Sequence, residues 1–162
     1  MRKPKKGQSL AEKYPELAAQ WHPTKNGELT AYDYGFGSNK KVWWKCDKGV
    51  DHEWESIVND RVRGFNKIGL TCKVCNGRKI VESNCLATTH PHIAKQWHPN
   101  KNGDIDPFKV GKGFEVKVWW KCDKGEDHEW EAFIKDRTGK NSGCPICSGA
   151  KATNSNSLKT LF

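Results

Sequence analysis

The sequence predicts a small α+β fold that is built as two tandem modules rather than as one large domain. Three observations favour this class. Residues 9–61 align with residues 85–137 at 29 identities in 53 positions, which marks an internal duplication. Hydrophobic residues make up only 35% of the 162 positions, too few for one extensive core. Each copy also repeats the same short elements in the same order around one Cys-x5-His pair and one Cys-x-x-Cys pair.

Each copy begins with a short helical segment. Ser9 and Glu12 have the spacing of a capping box, and Pro15 suits the first position of a helix. We therefore expect a turn at 9–13 and a helix at about 15–21. After a Lys-Asn-Gly turn, alternating residues predict a β-hairpin from strands at 41–46 and about 53–58, with counterparts at 117–122 and 129–134. Copy one then carries four extra residues within 62–71, which we expect to form a loop.

The repeated cysteines and histidines predict a metal site in each copy. A Cys-x5-His pair with Gly49 or Gly125 at its bend is followed by a Cys-x-x-Cys pair, so that two short turns supply three thiols and one imidazole. That set suits a tetrahedral structural Zn²⁺. The predicted ligands of two zinc ions are Cys46, His52, Cys72, Cys75, Cys122, His128, Cys144 and Cys147.

Other histidines and one further cysteine lie outside these sets. His22 and His98 precede prolines at helix ends, where we expect capping or surface roles rather than metal binding. His90 and His92 occur only in copy two and are expected to be solvated. Cys85 stands where the other repeats have Ser9 and Ser157, which indicates a capping position and a bystander thiol.

The chain is basic. Its formal charge of +9 becomes +7 when six thiolates and two Zn²⁺ are counted, which suits a polyanionic partner. The first 80 residues carry +7 of the formal charge and the remainder +2. We find neither a secretory signal nor a membrane-spanning stretch, and zinc thiolates favour a reducing environment. The sequence therefore predicts an intracellular protein, in the cytoplasm, nucleoid or nucleus, without a membrane partner; its oligomeric state stays open.

Strand alternation assigns the tryptophans to two faces. Trp44 and Trp54 share faces with the ligands Cys46 and His52, so we expect them in the core. Trp43 lies on the opposite face between two lysines and could stack against bases, or else pack against Trp21. Arg61 and Arg137 could each reach a phosphate or pair with the preceding aspartate. The candidate nucleic-acid contacts are Lys41, Trp43, Lys45, Arg61, Arg63, Lys117, Trp119, Lys121 and Arg137.

These motifs resemble those of a treble-clef, or zinc-ribbon, zinc-finger family that occurs as tandem repeats. The shared motifs are Trp-His-Pro, Lys-Asn-Gly, Val-Trp-Trp-Lys-Cys, His-x-Trp and Cys-Pro-x-Cys, and they extend from about residue 8 to residue 152. Copy one has Lys73 in place of the proline, and both copies insert two residues before the ligand histidine, Val50-Asp51 and Glu126-Asp127. The resemblance implies two treble-clef-like modules that bind zinc and nucleic acid, and longer relatives in which such arrays accompany nuclease domains.

The predicted organisation is a basic arm at 1–7, repeat one at 8–80, repeat two at 81–152, and at 153–162 the start of a truncated or degenerate third repeat. We expect nucleic-acid binding, with DNA favoured over RNA, and the chain could be the recognition part of a larger nuclease-associated protein. The alternative is a protein-interaction adaptor. We expect no enzymatic activity: Asp51-His52 is only superficially similar to a His-Asn-His nuclease motif, and a closed zinc site uses all of its ligands.

Overall fold

The structure is a computed structural model that describes residues 3–69 and 71–157. It divides into two compact units between Lys79 and Ile80. Residues 158–162, which form the second half of the expected third repeat, lie outside the described residues. Unit 1 contains α1 (Leu10–Lys13), α2 (Pro15–Ala18), β1 (Lys41–Lys45), β2 (Glu53–Ile57) and α3 (Val58–Ile68). Unit 2 contains a 3₁₀ turn (Glu82–Asn84), α4 (Leu86–Thr89), α5 (Pro91–Ala94), β3 (Lys117–Lys121), β4 (Glu129–Phe133) and α6 (Ile134–Gly139).

The first helical segment follows the predicted signals. The Ser9 hydroxyl caps α1 by accepting from the Glu12 amide, and the Glu12 carboxylate accepts from the Ser9 amide, which completes the capping box. The expected turn at 9–13 is thus one helical turn. Pro15 occupies the first position of α2, which ends at Ala18 and is shorter than the helix expected at about 15–21. Cys85 caps α4 in unit 2 with its backbone alone, and its thiol is fully buried.

The two hairpins have the same antiparallel register. Trp44 pairs with Trp54 in unit 1, and Trp120 pairs with Trp130 in unit 2. The Nε1–H group of Trp44 donates to the Ser56 carbonyl at 3.0 Å, so this indole stays hydrogen-bonded although it is fully buried. The prediction that the second tryptophan of each Trp-Trp pair faces the core is confirmed.

A helix follows each hairpin directly, although no helix was expected there from the sequence. The expectation of a loop in 62–71 was wrong over most of that stretch, because α3 continues to Ile68 and has 11 residues where α6 has 6. Val58 and Val62, spaced four residues apart, bury one face of α3 against unit 1. That spacing was the available signal for the helix. Most of the extra length in copy one therefore extends a helix.

The outer edge of β1 is covered by the segment that precedes it. His22 N donates to the Trp43 carbonyl at 3.1 Å, and Lys45 N donates to the Gln20 carbonyl at 2.7 Å. The Asn26 side chain completes this edge, since its Oδ1 accepts from Trp43 N at 2.8 Å and its Nδ2 donates to Trp43 O at 2.9 Å. Asn102 makes the same two bonds to Trp119 in unit 2. The Lys-Asn-Gly turn therefore supplies a side chain that acts as a neighbouring strand.

Each unit has its own small core beside the cysteine cluster. In unit 1 the ring of Trp21 packs on Trp44 at 5.8 Å and on Tyr34 at 5.3 Å between ring centroids. In unit 2 the core is formed by Leu86, Ile93, Val110, Val118, Trp120, Trp130, Ile134 and Ile146. No helix within residues 3–69 and 71–157 combines the length and the apolar character that crossing a bilayer requires.

Candidate metal centres

The hairpin turn and the segment after α3 bring four ligand atoms together in unit 1. Cys46 Sγ lies 3.7 Å from His52 Nδ1 and 3.8 Å from Cys75 Sγ. His52 Nδ1 also lies 3.8 Å from Cys72 Sγ and 3.3 Å from Cys75 Sγ. All four ligand atoms fall within 4.8 Å of one another. The histidine therefore presents Nδ1 rather than Nε2 to the cluster.

Unit 2 repeats the cluster with similar dimensions. Cys122 Sγ lies 3.6 Å from Cys147 Sγ, and His128 Nδ1 lies 3.7 Å from Cys144 Sγ and 3.2 Å from Cys147 Sγ. The Nε2 atom of His128 lies 3.3 Å from Ser155 Oγ, so a residue near the end of the chain orients the ring.

These distances fit tetrahedral Zn²⁺. With Zn–S of about 2.3 Å and Zn–N of about 2.05 Å, the edges of a tetrahedron are about 3.8 Å for S–S and about 3.6 Å for S–N. The observed edges of 3.2 to 3.8 Å agree within a few tenths of an ångström. Two Cys3His sites therefore fit two structural zinc ions, held by the eight residues that the sequence predicts. Bound zinc would cross-link the hairpin to the segment after the helix in each unit.

The three thiols of each cluster can ionise together only when a cation is bound between them. Cys75 and Cys147 are exposed as residues, but partial desolvation of their sulfurs, reinforced by the neighbouring sulfurs, raises the pKa of Cys75 to about 12 and of Cys147 to about 11. Three thiols this close cannot all ionise without a positive charge between them, and a divalent cation supplies that charge. The Lys48 amide, 3.4 Å from Cys46 Sγ, and the Lys124 amide, 3.4 Å from Cys122 Sγ, offer further stabilisation to thiolates.

A glycine makes room for each ligand histidine. A Cβ atom at Gly49 would lie 2.6 Å from Cδ2 of His52, and one at Gly125 would lie 2.6 Å from Cδ2 of His128. Both glycines have φ outside the left-handed region, so the requirement is space for the imidazole ring. The bend that the sequence assigned to Gly49 is therefore also a close approach to a ligand.

Arg61 is not at the surface, contrary to the expectation of a phosphate contact. It is 6% exposed, and its guanidinium carbon lies 5.2 Å from the ring centroids of both Trp44 and Trp54. It donates to Gln20 Oε1 at 2.5 Å and to Thr71 O at 2.7 Å, and it forms no ion pair with the neighbouring aspartate among the described residues. Arg137 repeats this burial in unit 2, against Trp120, Trp130, Gln96 and Ser142. Burial removes both arginines from the candidate nucleic-acid contacts.

Each buried arginine carries a charge that would offset the charge of a zinc-loaded centre. Three thiolates, a neutral histidine and Zn²⁺ sum to −1 in each unit, and one buried guanidinium offsets that charge. Burial lowers the pKa of Arg61 to about 10, while the charge of Cys72 opposes the shift. Burial also lowers the pKa of Arg137, opposed by Cys144 and Cys122. The sequence showed that each arginine recurs but not that it faces the cysteines.

His22, the repeated histidine that is not a metal ligand, is buried and caps a turn. Capping was one of the two roles expected for it. His22 Nδ1 accepts from the amides of Thr24 and Lys25 at 3.2 and 3.1 Å, and its Nε2–H donates to Glu53 at 2.9 Å. Hydrogen bonds from Lys25 and His22 lower the pKa of Glu53 to about 2. His98 has the same partners in unit 2, namely Asn100, Lys101 and Glu129.

Trp43 is half-buried at the edge of the hairpin. Lys25 Nζ lies 4.6 Å from its ring centroid, and the His22 ring lies edge-on at 6.4 Å. The alternative contact with Trp21 is not observed, because Trp21 packs on Trp44. Trp119 is also half-buried in unit 2, with Lys101 Nζ 4.6 Å from its ring centroid.

The lysines beside these tryptophans face glutamates across the hairpin. Lys41 pairs with Glu55 at 2.8 Å and Lys45 with Glu53 at 3.5 Å. The corresponding pairs in unit 2 are Lys117–Glu131 at 3.3 Å and Lys121–Glu129 at 3.5 Å. The strand register could have disclosed these pairs, which lower the positive charge of the hairpin face. Arg63 lies exposed on α3.

The comparisons with known proteins agree with this geometry. The model of a family described as "Probable Treble clef zinc finger domain" matches the chain twice, over residues 17–78 and 93–150. These segments contain all eight ligands of the two metal centres. No curated protein matches the chain.

Proposed function

The chain belongs to the probable treble clef zinc finger family, and from this premise we propose that its two zinc-stabilised units bind nucleic acid, DNA in preference to RNA. The zinc ions hold the fold, and the exposed faces of the hairpins make the contacts. On this proposal the protein is a recognition module without catalytic activity, and it serves a larger nuclease-associated protein. Because the ligands must be reduced thiols, we place it in an intracellular compartment.

The observation that carries this proposal is the half-buried tryptophan at the hairpin edge of both units. Trp43 and Trp119 each lie next to strand lysines and beneath a further lysine. Aromatic rings among cations on a protein surface serve base stacking and backbone tracking. The formal charge of +9 adds an attraction to phosphates that does not depend on base sequence.

Equilibrium binding to short labelled oligonucleotides tests the proposal. We expect the zinc-loaded chain to bind single- and double-stranded DNA more tightly than RNA of the same sequence. The association constant should fall steeply between about 50 and 200 mM salt, because phosphate contacts release counterions. Replacing both Trp43 and Trp119 by leucine should weaken binding while zinc content stays at two per chain. Failure to bind any of these nucleic acids at the lowest salt would contradict the proposal.

A protein-interaction adaptor is the second candidate, and exposed aromatic side chains of unit 2 favour it. Phe108 is 63% exposed and Phe133 is 39% exposed. Isolated apolar side chains are common on surfaces, so this observation is weaker than the repeated tryptophan arrangement. A protein partner that stays bound after nuclease treatment and in high salt, and that is lost in Phe108→Ser with Phe133→Ser, would favour the adaptor.

A further inference from the structure

Unit 1 has a shallow depression beside Trp43 that differs from the corresponding surface of unit 2. It has a volume of about 360 Å³ and is lined by Lys41, Trp43, Trp54, Glu55, Lys73, Arg78 and Lys79. Four cations and one carboxylate thus surround two aromatic side chains, Trp43 and the largely buried Trp54. Three of these cations follow the hairpin in the chain, namely Lys73, Arg78 and Lys79. None of the three was among the contacts expected from the sequence.

The carboxylate in this depression is already engaged. Glu55 pairs with Lys41 at 2.8 Å, which leaves the other cations as the source of the local positive charge. Lys73 Nζ lies 3.4 Å from the Glu55 carbonyl and Lys79 Nζ donates to the Glu53 carbonyl, so both ammonium groups are anchored at this wall. Among the described residues, neither Lys73 nor Arg78 forms an ion pair with a carboxylate, and both are exposed.

Unit 2 keeps the backbone of this segment but has only two of the four cations. Lys79 N donates to the Lys73 carbonyl at 2.9 Å, and Lys151 N donates to the Pro145 carbonyl at 2.9 Å, so the two segments have the same turn. With the segments aligned in this way, two cations of unit 1 have uncharged counterparts in unit 2: Lys73 corresponds to Pro145, and Arg78 corresponds to Ala150. The lining residues of unit 1 carry a formal +3, whereas their counterparts in unit 2 carry +1.

We propose that the depression beside Trp43 is the nucleic-acid backbone site of this protein, in which Lys73 and Arg78 contact phosphates, and that unit 2 lacks an equivalent site. This inference rests on the proposed function and deepens it, because it makes the two repeats unequal. Charge complementarity identifies the occupant: a phosphodiester backbone supplies the anions, and Trp43 in the wall offers a surface for a base or sugar. A guanidinium at position 78 can donate to two phosphate oxygens at once.

Two double variants that each remove two positive charges test this assignment. In the double variant Lys73→Gln with Arg78→Gln, we expect the affinity for a single-stranded DNA oligonucleotide to fall on the order of tenfold at about 100 mM salt. The slope of the logarithm of the association constant against the logarithm of the salt concentration should become smaller in magnitude by about one to two. The control, Lys13→Gln with Lys67→Gln, removes the same charge from exposed positions of unit 1 outside the depression. Its affinity for the oligonucleotide should fall by less than about threefold, because these lysines would act on the DNA only through long-range charge, which salt screens.

A gain of function in unit 2 supplies the converse test. Pro145→Lys with Ala150→Arg, introduced into the Lys73→Gln and Arg78→Gln chain, should restore most of the lost affinity and salt dependence. Zinc content of two per chain serves as the folding control for every variant. Equal losses in the depression variant and in the control would show that binding follows net charge and would overturn the inference, while leaving the proposed function intact. A wild-type chain that binds no nucleic acid would overturn both.

Discussion

Arg61 and Arg137 are cations buried beside clusters of three cysteines, each between two tryptophan rings. A buried charge is costly unless it is paired, and no carboxylate pairs with either of them among the described residues. The thiolates of a zinc-loaded centre provide the missing charge. The same side chain would then serve both metal binding and core packing. The arginine also donates to the glutamine that precedes Trp21 or Trp97, which connects the first segment of each unit to the helix after the hairpin.

Replacing Arg61 by methionine should weaken zinc binding at the first centre. The substitution keeps the aliphatic bulk between the rings but leaves the −1 charge of the centre without its partner. We expect a loss on the order of 10- to 100-fold in zinc affinity, the range of changes to groups that support metal ligands. Competition for zinc with a chromophoric chelator measures this change in affinity.

Arg63→Met is the matched control, because Arg63 lies exposed on the same helix and carries the same charge. It should leave zinc affinity nearly unchanged. Similar affinities for the two variants would show that the buried guanidinium does not act as the counter-charge.

Short elements in this fold depend on side chains that complete the backbone hydrogen bonds. The strands have five residues each, and a two-stranded hairpin is marginal by itself in water. Asn26 and Asn102 extend each sheet by bonding to both polar groups of a tryptophan backbone. The Lys-Asn-Gly turn therefore has a structural role in holding the outer edge of β1 and β3.

Asn26→Ala should loosen the hairpin of unit 1. It removes two part-buried hydrogen bonds from the Trp43 backbone, which we expect to cost about 1–3 kcal/mol of local stability. Amide hydrogen exchange of Trp43, measured by NMR, should accelerate accordingly. Asn39→Ala, at an exposed position of the same unit, is the control. Unchanged exchange at Trp43 would contradict the proposed role of the asparagine.

The whole molecule consists of two units that each combine a small core with one metal centre. Only 35% of the residues are hydrophobic, and much of the apolar area comes from tryptophans arranged around the cysteine clusters. Domains of this size often lack the apolar burial to fold without further cross-links. Metal binding supplies such links, because each zinc joins the hairpin turn to the segment after the following helix.

Removal of zinc should unfold both units. We expect a strong chelator to abolish the near-UV circular dichroism of the tryptophans, and two equivalents of zinc per chain to restore it. Chelator that has been saturated with zinc beforehand is the control and should have no effect. A native aromatic spectrum that persists in the metal-free chain would show that the cores fold without the metal.

Local patterns in the sequence were sufficient for the repeats, the ligands and the hairpins. The ligands could be identified because zinc sites of this kind have short characteristic spacings, and the duplication shows each spacing twice. Trp44 and Trp54 were assigned to the core because side chains alternate along a strand. The helix α3 was missed because its short apolar pattern follows the strand directly, without a side-chain cap to mark its beginning.

The sequence by itself determined that this protein is a pair of zinc-binding α+β modules, since ligand spacing, strand alternation and the capping box of Ser9 and Glu12 are properties of neighbouring residues. Only the tertiary structure decided the roles of the cations. Arg61 contacts Gln20, 41 positions away, and Lys73 and Arg78 meet Trp43 only after the chain has passed through β2 and α3. Charge along the chain indicates how many cations there are, whereas folding decides which ones are buried, which are paired and which remain available to a phosphate.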